Sequence, residues 1–357
     1  MSSRLAILTV ISAALLGQTA LAQAPGGPAG AGAAGAPAPR RGPVLPVAPG
    51  GAMPSETSPG YRPQSVVNGV QVTLPQYEDV FATLDALPNA APARPKQARK
   101  VLVYSRPKGF MHSSIPLTAF AIKALGDKTG AWSTDVSYKL EDFTAANLAR
   151  YDVLVLNSTT GEFLDDADAA ATAARHAALL SYVRAGHGLV LTHAGTDAYH
   201  TNGNTPAGLK STWPEFTVMT GGFFKFHWLY PQEITVKIDD SRSPLNATLA
   251  GRPFTVHDEI YTLAQDSFSR KNAHVLTSID YSKMSEKDKE VETAATRRTD
   301  GDYAISWIRR EGKGRVYSNV LGHSEHVLAM PSFLAQLTAG IQYAAGDLAA
   351  DDSPSAR

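Results

Sequence analysis

Residues 188–192 read GLVLT, and the loop that follows reads His193-Ala194-Gly195-Thr196-Asp197. A short, nearly continuous apolar run of this kind suits a strand buried on both faces of a parallel sheet. The same pattern occurs upstream at residues 100–105 (KVLVYS) and 153–157 (VLVLN). Between these runs the apolar period lengthens to that of a helix. Ile115, Phe120, Ile122 and Leu125 predict one helix, with Pro116 tolerated in its first turn. Residues 168–185 are rich in Ala and carry Leu179, Leu180, Tyr182 and Val183. They predict a second, longer helix ended by Gly186. Later strands are predicted at 233–238, 273–279, 303–308 and 315–319, and a last helix at 332–345. Strands alternating with helices imply an α/β fold, a mostly parallel sheet with helices on both faces. The charged stretch 283–302 reads as a solvated loop.

The ends of the chain read differently. Arg4, the apolar residues 5–17 (LAILTVISAALLG) and Ala20-Leu21-Ala22 form the pattern of a secretory signal over residues 1–22. The apolar run falls short of the roughly 20 residues of a spanning helix. Export to the periplasm or beyond is therefore expected, with no membrane segment in the mature form. Residues 23–51 are mostly Ala, Gly and Pro and read as a flexible linker. Residues 79–87 predict a short helix closed off by Pro88, Pro92 and Pro95. The whole of 23–98 is expected to be largely disordered, the packed domain to cover 99–347, and 348–357 to be a loose tail.

Composition removes several functions. Lys+Arg and Asp+Glu both number 33, so the 357-residue chain has no net charge and no electrostatic case for nucleic acid or an anionic membrane. It contains no cysteine, which excludes disulfides, thiolate-ligated metals and a thiol nucleophile. Its ten histidines are then the main reactive inventory.

In open α/β sheets ligands bind beyond the carboxyl ends of the strands, and those loops collect histidines. His112 follows the first strand, His193 the third and His323 the last, while His227 and His257 belong to the segments 221–227 (GGFFKFH) and 257–262 (HDEIYT). Histidine titrates near neutral pH and is the commonest ligand of divalent metals. Asp258 and Glu259 can orient an imidazole or share its proton. They cannot both flank one bond if they lie on a strand, where neighbouring side chains alternate. His176, His187, His200, His274 and His326 read as structural. Asp197 can equally serve as a helix cap. Trp213, Trp228, Tyr261 and Phe224 could stack on a sugar or lie in the core.

The segments 109–115 (GFMHSSI), 188–200 (GLVLTHAGTDAYH), 221–227, 257–262 and 305–323 (ISWIRREGKGRVYSNVLGH) together resemble the ThuA-like, or trehalose-utilisation, family over about residues 100–345. The resemblance implies a flavodoxin-like fold of the class I glutamine amidotransferase type. That fold normally carries a nucleophilic Cys on a tight strand-to-helix turn. The comparable turn here is Leu191-Thr192-His193-Ala194, so glutamine amidotransfer by a thiol is excluded. The resemblance also implies a part in sugar utilisation, including disaccharides oxidised at the 3-position.

Two functions follow. One is an exported enzyme on a keto-sugar or glycoside, with His193, His257, Asp258 and Glu259 in acid–base roles. His112, Ser113, Asp197, Tyr261 and Phe224 would bind substrate, and His227, His257 and His323 would hold a divalent metal such as zinc or manganese. The other is a non-catalytic carbohydrate-binding or accessory domain. The expected partners are a small carbohydrate and, in a homo-oligomer, further copies of the chain.

Overall fold

In the computed structural model, the structure describes residues 64–67, 70–201, 209–228 and 230–355. The signal-like segment and the Ala/Gly/Pro-rich stretch lie outside the described residues. A hairpin of β1 (Gln64–Val67) and β2 (Val70–Thr73) comes first. Then follow β3 (Lys100–Tyr104), β4 (Ser133–Ser137), β5 (Val153–Asn157), β6 (Gly188–Thr192), β7 (Phe224–His227) and β8 (Gln232–Ile238). The last strands are β9 (Phe254–Asp258), β10 (Tyr261–Leu263), β11 (His274–Ile279), β12 (Ala304–Glu311) and β13 (Gly314–Asn319).

Nine of these form one sheet in the order β4-β3-β5-β6-β13-β12-β11-β8-β9. The first five run parallel. Renumbered along the chain they follow the order 2-1-3-4-5, which is the flavodoxin-like arrangement. Every residue of β5 and β6 is buried, as continuous apolar strands in a doubly covered sheet must be. The remaining four strands are antiparallel. The expected mostly parallel α/β sheet is present, and the pair at 303–308 and 315–319 is where its pairing turns antiparallel. Residues 303–308 and 315–319 are too close in sequence for a crossover and form a hairpin through Gly312 instead.

The helices are α1 (Tyr77–Ala86), α2 (Ile115–Thr129), α3 (Ala145–Leu148), α4 (Ala169–Ala185), α5 (Pro214–Thr220), α6 (Glu286–Glu290) and α7 (Pro331–Ala344). Helix α4 starts where Asp168 caps the backbone N–H groups of Ala170 and Ala171, and it stops at Gly186. Its Leu179 and Val183 pack with Leu154, Leu156, Leu189 and Leu191 on one face of the sheet. Helix α7 packs on β6 and β13. None of the described helices is long and apolar enough to cross a membrane.

Among the described residues, parts of three regions expected to be loose are packed. Gln342 exchanges two hydrogen bonds with the backbone of Ala93, at 2.8 and 2.6 Å, and Arg99 forks onto Asp347 while also reaching Asp152. Proline ends α1, but the backbone of the extended chain after it is met by the Gln342 and Asp347 side chains, so packing begins before Arg99. At the other end, Ser355 bonds to Ala273 and Val275, and Asp352 accepts from Tyr343 and Arg310. The charged stretch 283–302 is pinned by two buried residues. Glu292 accepts from the hydroxyls of Tyr281 and Tyr303, and Arg298 donates to the carbonyls of Leu263 and Phe268.

The α7–β13 contact is close. A Cβ added at Gly340 would stand 2.4 Å from the Tyr317 ring. Gly340→Ala is therefore expected to lower stability by about 1–3 kcal/mol through overpacking. Urea unfolding should show a lower midpoint at an unchanged slope.

Candidate functional site

Three parallel-strand loops and one segment from the antiparallel half meet at a single point. His112 lies in the loop after β3, His193 on the 3-10 turn after β6, and His323 in the loop after β13. Glu259 follows β9 directly. These four residues offer ligand atoms that all lie within 4.8 Å of one another. The Nε2 atoms of His112 and His193 are 3.2 Å apart, and His193 Nε2 is 3.4 Å from Glu259 Oε2. His112 Nε2 is 3.9 Å from the same oxygen. With ligand bonds of about 2.0–2.2 Å, neighbouring donors of a tetrahedral site stand roughly 3.3–3.6 Å apart. Three imidazoles and one carboxylate at this spacing fit a divalent ion of the zinc or manganese type.

Local structure aims each group. Thr192 donates to Asn157, whose amide reaches Ser105 and the Ile115 carbonyl, tying together the tips of β3, β5 and β6. His193 is held at φ 42°, a strained position for a non-glycine residue. Its Nδ1 lies 2.8 Å from the Val320 carbonyl, which fixes that nitrogen as a donor and turns Nε2 toward the cluster. Asp258, fully buried, accepts from the backbone N–H groups of Gly322, His323 and Ser324 and from the Ser324 hydroxyl. Ser114 donates to the Gly322 carbonyl from the other side. Gly322 sits at φ 115°, a conformation that glycine adopts readily, and so presents His323.

Electrostatics separate the histidines. Burial pushes His112 down and His323 well down, favouring the neutral, ligating form. Burial also disfavours the His193 cation, but the Glu259 carboxylate outweighs it and raises the pKa. Burial works against the Glu259 anion too, yet hydrogen bonds from His112 and His193 hold it well below the usual carboxylate range. The Nδ1 atoms of His112 and His323 are buried without a hydrogen-bond partner, an unfavourable arrangement of about 1–3 kcal/mol each.

The structure sorts the sequence candidates. His112, His193, Glu259 and His323 converge. His227 stands beside them, half-exposed, with Nδ1 3.5 Å from Glu259 Oε1 and 2.8 Å from the Trp228 carbonyl. Tyr261 is buried beneath His193 at 4.4 Å between ring centroids, and Phe224 covers Tyr261 at 4.3 Å. Ser113 is half-buried next to His112, but the hydroxyl that ties the loops is that of Ser114, which the sequence reading passed over. His257 is the correction. It pairs across the sheet with Glu233, 2.6 Å away and exposed, because strand alternation turns it to the face opposite Asp258. It is not among the four grouped residues. Asp258 positions the His323 loop through its hydrogen bonds to residues 322–324. Trp213 and Trp228 lie in the core.

A family model described as ThuA: Trehalose utilisation matches residues 100–344. Among solved structures, a ThuA-like protein from Bacteroides uniformis superposes with a TM-score of 0.52 at 21% identity, covering 71% of this chain and 94% of its own. A ThuA-like protein from Parabacteroides merdae gives 0.50 at 16% identity, covering 71% and 92%. No curated protein matches the chain significantly.

One further pair borders the site. His200 Nε2 lies 2.7 Å from Asp197, and its Nδ1 lies 3.0 Å from the Thr201 carbonyl. The Asp197 side chain thus holds a histidine and is not a helix N-cap, while its backbone N–H closes the 3-10 turn 193–196 on the Ala194 carbonyl. Both His200 nitrogens face acceptors, so the imidazolium is the form that satisfies both. Burial disfavours that cation, but Asp197 and the carbonyl outweigh it and raise the pKa. The pair's contribution to stability is then full below the unfolded histidine value of about 6.5 and is lost as pH rises through the folded one. In an NMR titration His200 should titrate above 6.5, and Asp197→Asn should bring it down. An unchanged midpoint in the variant would remove Asp197 as the cause.

Proposed function

The chain belongs to the ThuA (trehalose utilisation) family, and on that premise we propose that it is an enzyme acting on a keto-sugar or glycoside at the cluster His112, His193, Glu259 and His323. The observation that carries the reading is the convergence of three imidazoles and one carboxylate from four separate segments. These four residues would hold a divalent ion, zinc or manganese. Such an ion, when bound, polarises a sugar carbonyl or hydroxyl oxygen.

The protein's own groups supply the rest. His227 is the histidine at the solvent-facing side. Its Nδ1 is committed to the Trp228 carbonyl, which leaves Nε2 as the acceptor. A carbonyl at the 3-position acidifies the adjacent C–H, and His227 Nε2 is suited to take that proton. Glu259 keeps its negative charge against burial and so stabilises positive charge gathered at the histidines. Tyr261 closes the cluster from below and excludes water there. With no cysteine in the chain, a thiol plays no part. The signal-like residues 1–22 support action outside the cytoplasm.

Elemental analysis of the protein grown with zinc and manganese tests this reading. The wild type should carry near-stoichiometric metal. His193→Ala and Glu259→Gln should each weaken its retention by at least about 100-fold. His257→Ala should retain it as the wild type does, since His257 faces Glu233. Turnover of 3-keto-glycosides should fall in parallel with the metal. A wild type free of metal in replete medium would refute the metal-assisted form. Retention of metal without turnover would favour a binding domain.

A further inference from the structure

An aromatic side chain that the residues named so far do not include sits at the mouth of the cluster. Phe110 is 63% exposed, yet its ring packs edge-to-face on His112 at 4.7 Å and on His323 at 6.5 Å between centroids. A lone exposed apolar side chain is ordinary. This one differs because its backbone is clamped. Lys108 and Gly109 donate their N–H groups to the Thr160 carbonyl, and the Thr160 hydroxyl donates to the Phe110 carbonyl at 2.9 Å. A Cβ at Gly109 would stand 2.9 Å from Thr160 Oγ1, so the loop lies directly on the turn after β5. Burying such a ring is favourable, and the fold instead fixes it in solvent against two ligand-type histidines.

Ring contacts continue from there without a break. Phe110 touches His112, which touches His193 at 4.7 Å. His193 touches Tyr261, and Tyr261 touches Phe224. Phe110 thus stands at one end of a row whose middle is the cluster, and beyond Tyr261 the row runs on through Phe224 to His227 and His200. An apolar ring face beside polar groups recognises the C–H face of a pyranose, while the polar groups take its hydroxyls.

We propose that Phe110 is a specificity-determining residue, a stacking platform for the sugar unit beyond the one held at the cluster. This rests on the carbohydrate reading above. The unit at the cluster meets the histidines and Glu259. The unit beyond it stacks on Phe110, which takes no part in proton transfer or metal retention.

Calorimetric titration with trehalose, 3-keto-trehalose and glucose tests the assignment on the wild type, Phe110→Ala and Phe110→Trp. At least one disaccharide should bind the wild type more tightly than glucose. Phe110→Ala should weaken that disaccharide roughly tenfold, the size of one aromatic stacking contact, with glucose changed less than about twofold. Phe110→Trp should stay close to the wild type. Metal content and melting temperature should be the same in all three. Unchanged disaccharide binding in Phe110→Ala, or an equal loss for glucose, would overturn the platform and leave the carbohydrate reading standing. Failure of all three sugars to bind the wild type would overturn both.

Discussion

The buried carboxylate of Asp258 is the interaction on which the site depends. A flat sheet with strands about 4.8 Å apart would put β9 roughly 24 Å from β6. Glu259, one residue past β9, nevertheless stands 3.4 Å from His193. The antiparallel half and the chain leaving it must therefore fold back across the carboxyl ends of the parallel strands. Asp258 holds them there. A buried carboxylate is costly unless fully hydrogen-bonded, and three consecutive backbone N–H groups plus the Ser324 hydroxyl supply its partners. One residue thus joins the two halves of the sheet, shapes the turn at Gly322 and presents His323. Its neighbour along the chain enters the cluster.

That arrangement also accounts for the charge balance. The cluster has one anion, Glu259, and three buried imidazoles, of which only His193 is pushed toward its cation. His112 and His323 are pushed toward the neutral form, because burial is not offset as fully for them. A single carboxylate can support about one positive charge in a buried pocket. A divalent ion ligated by neutral imidazoles and the carboxylate would take over the compensation that a proton on His193 provides without it. The strained φ of His193 belongs to the same balance, since the turn trades local backbone strain for the aim of Nε2.

Much of the fold was legible in the sequence. Continuous apolar runs mark β3, β5 and β6, and Asp168 and Gly186 bound α4 closely. The edge elements were not legible. Strand β7 is half-buried along its length and β10 has three residues, so neither carries a burial period. At the site, chain order and topology put forward five histidines, His112, His193, His227, His257 and His323, and the motif at 257–262 added Glu259; which of them group together depends on how the antiparallel half folds back. The error at His257 has one physical source. Alternation holds through Asp258, the last residue of β9, and so turns His257 to the other face, while Glu259 lies past the end of the strand and is free of it. Phe110 lies within the segment 109–115, where an aromatic in a glycine-containing loop reads as core until its exposure is known.

The parallel half by itself could not build this site. Its carboxyl-end loops deliver His112, His193 and His323, while the end of β5 is occupied by Asn157, which ties neighbouring strands and offers no charge. Three imidazoles gathered in a buried pocket without an anion would each be driven neutral and would leave the charge of a bound dication without a facing counter-charge. The missing carboxylate comes from the antiparallel extension, and only because the β9 edge folds over the same rim. Changes that loosen that edge should therefore act first on the pairing of Glu259 with His193, and only afterwards on the parallel core beneath it. The chemistry of the site is set by this added half of the sheet, while the doubly wound half fixes where it happens.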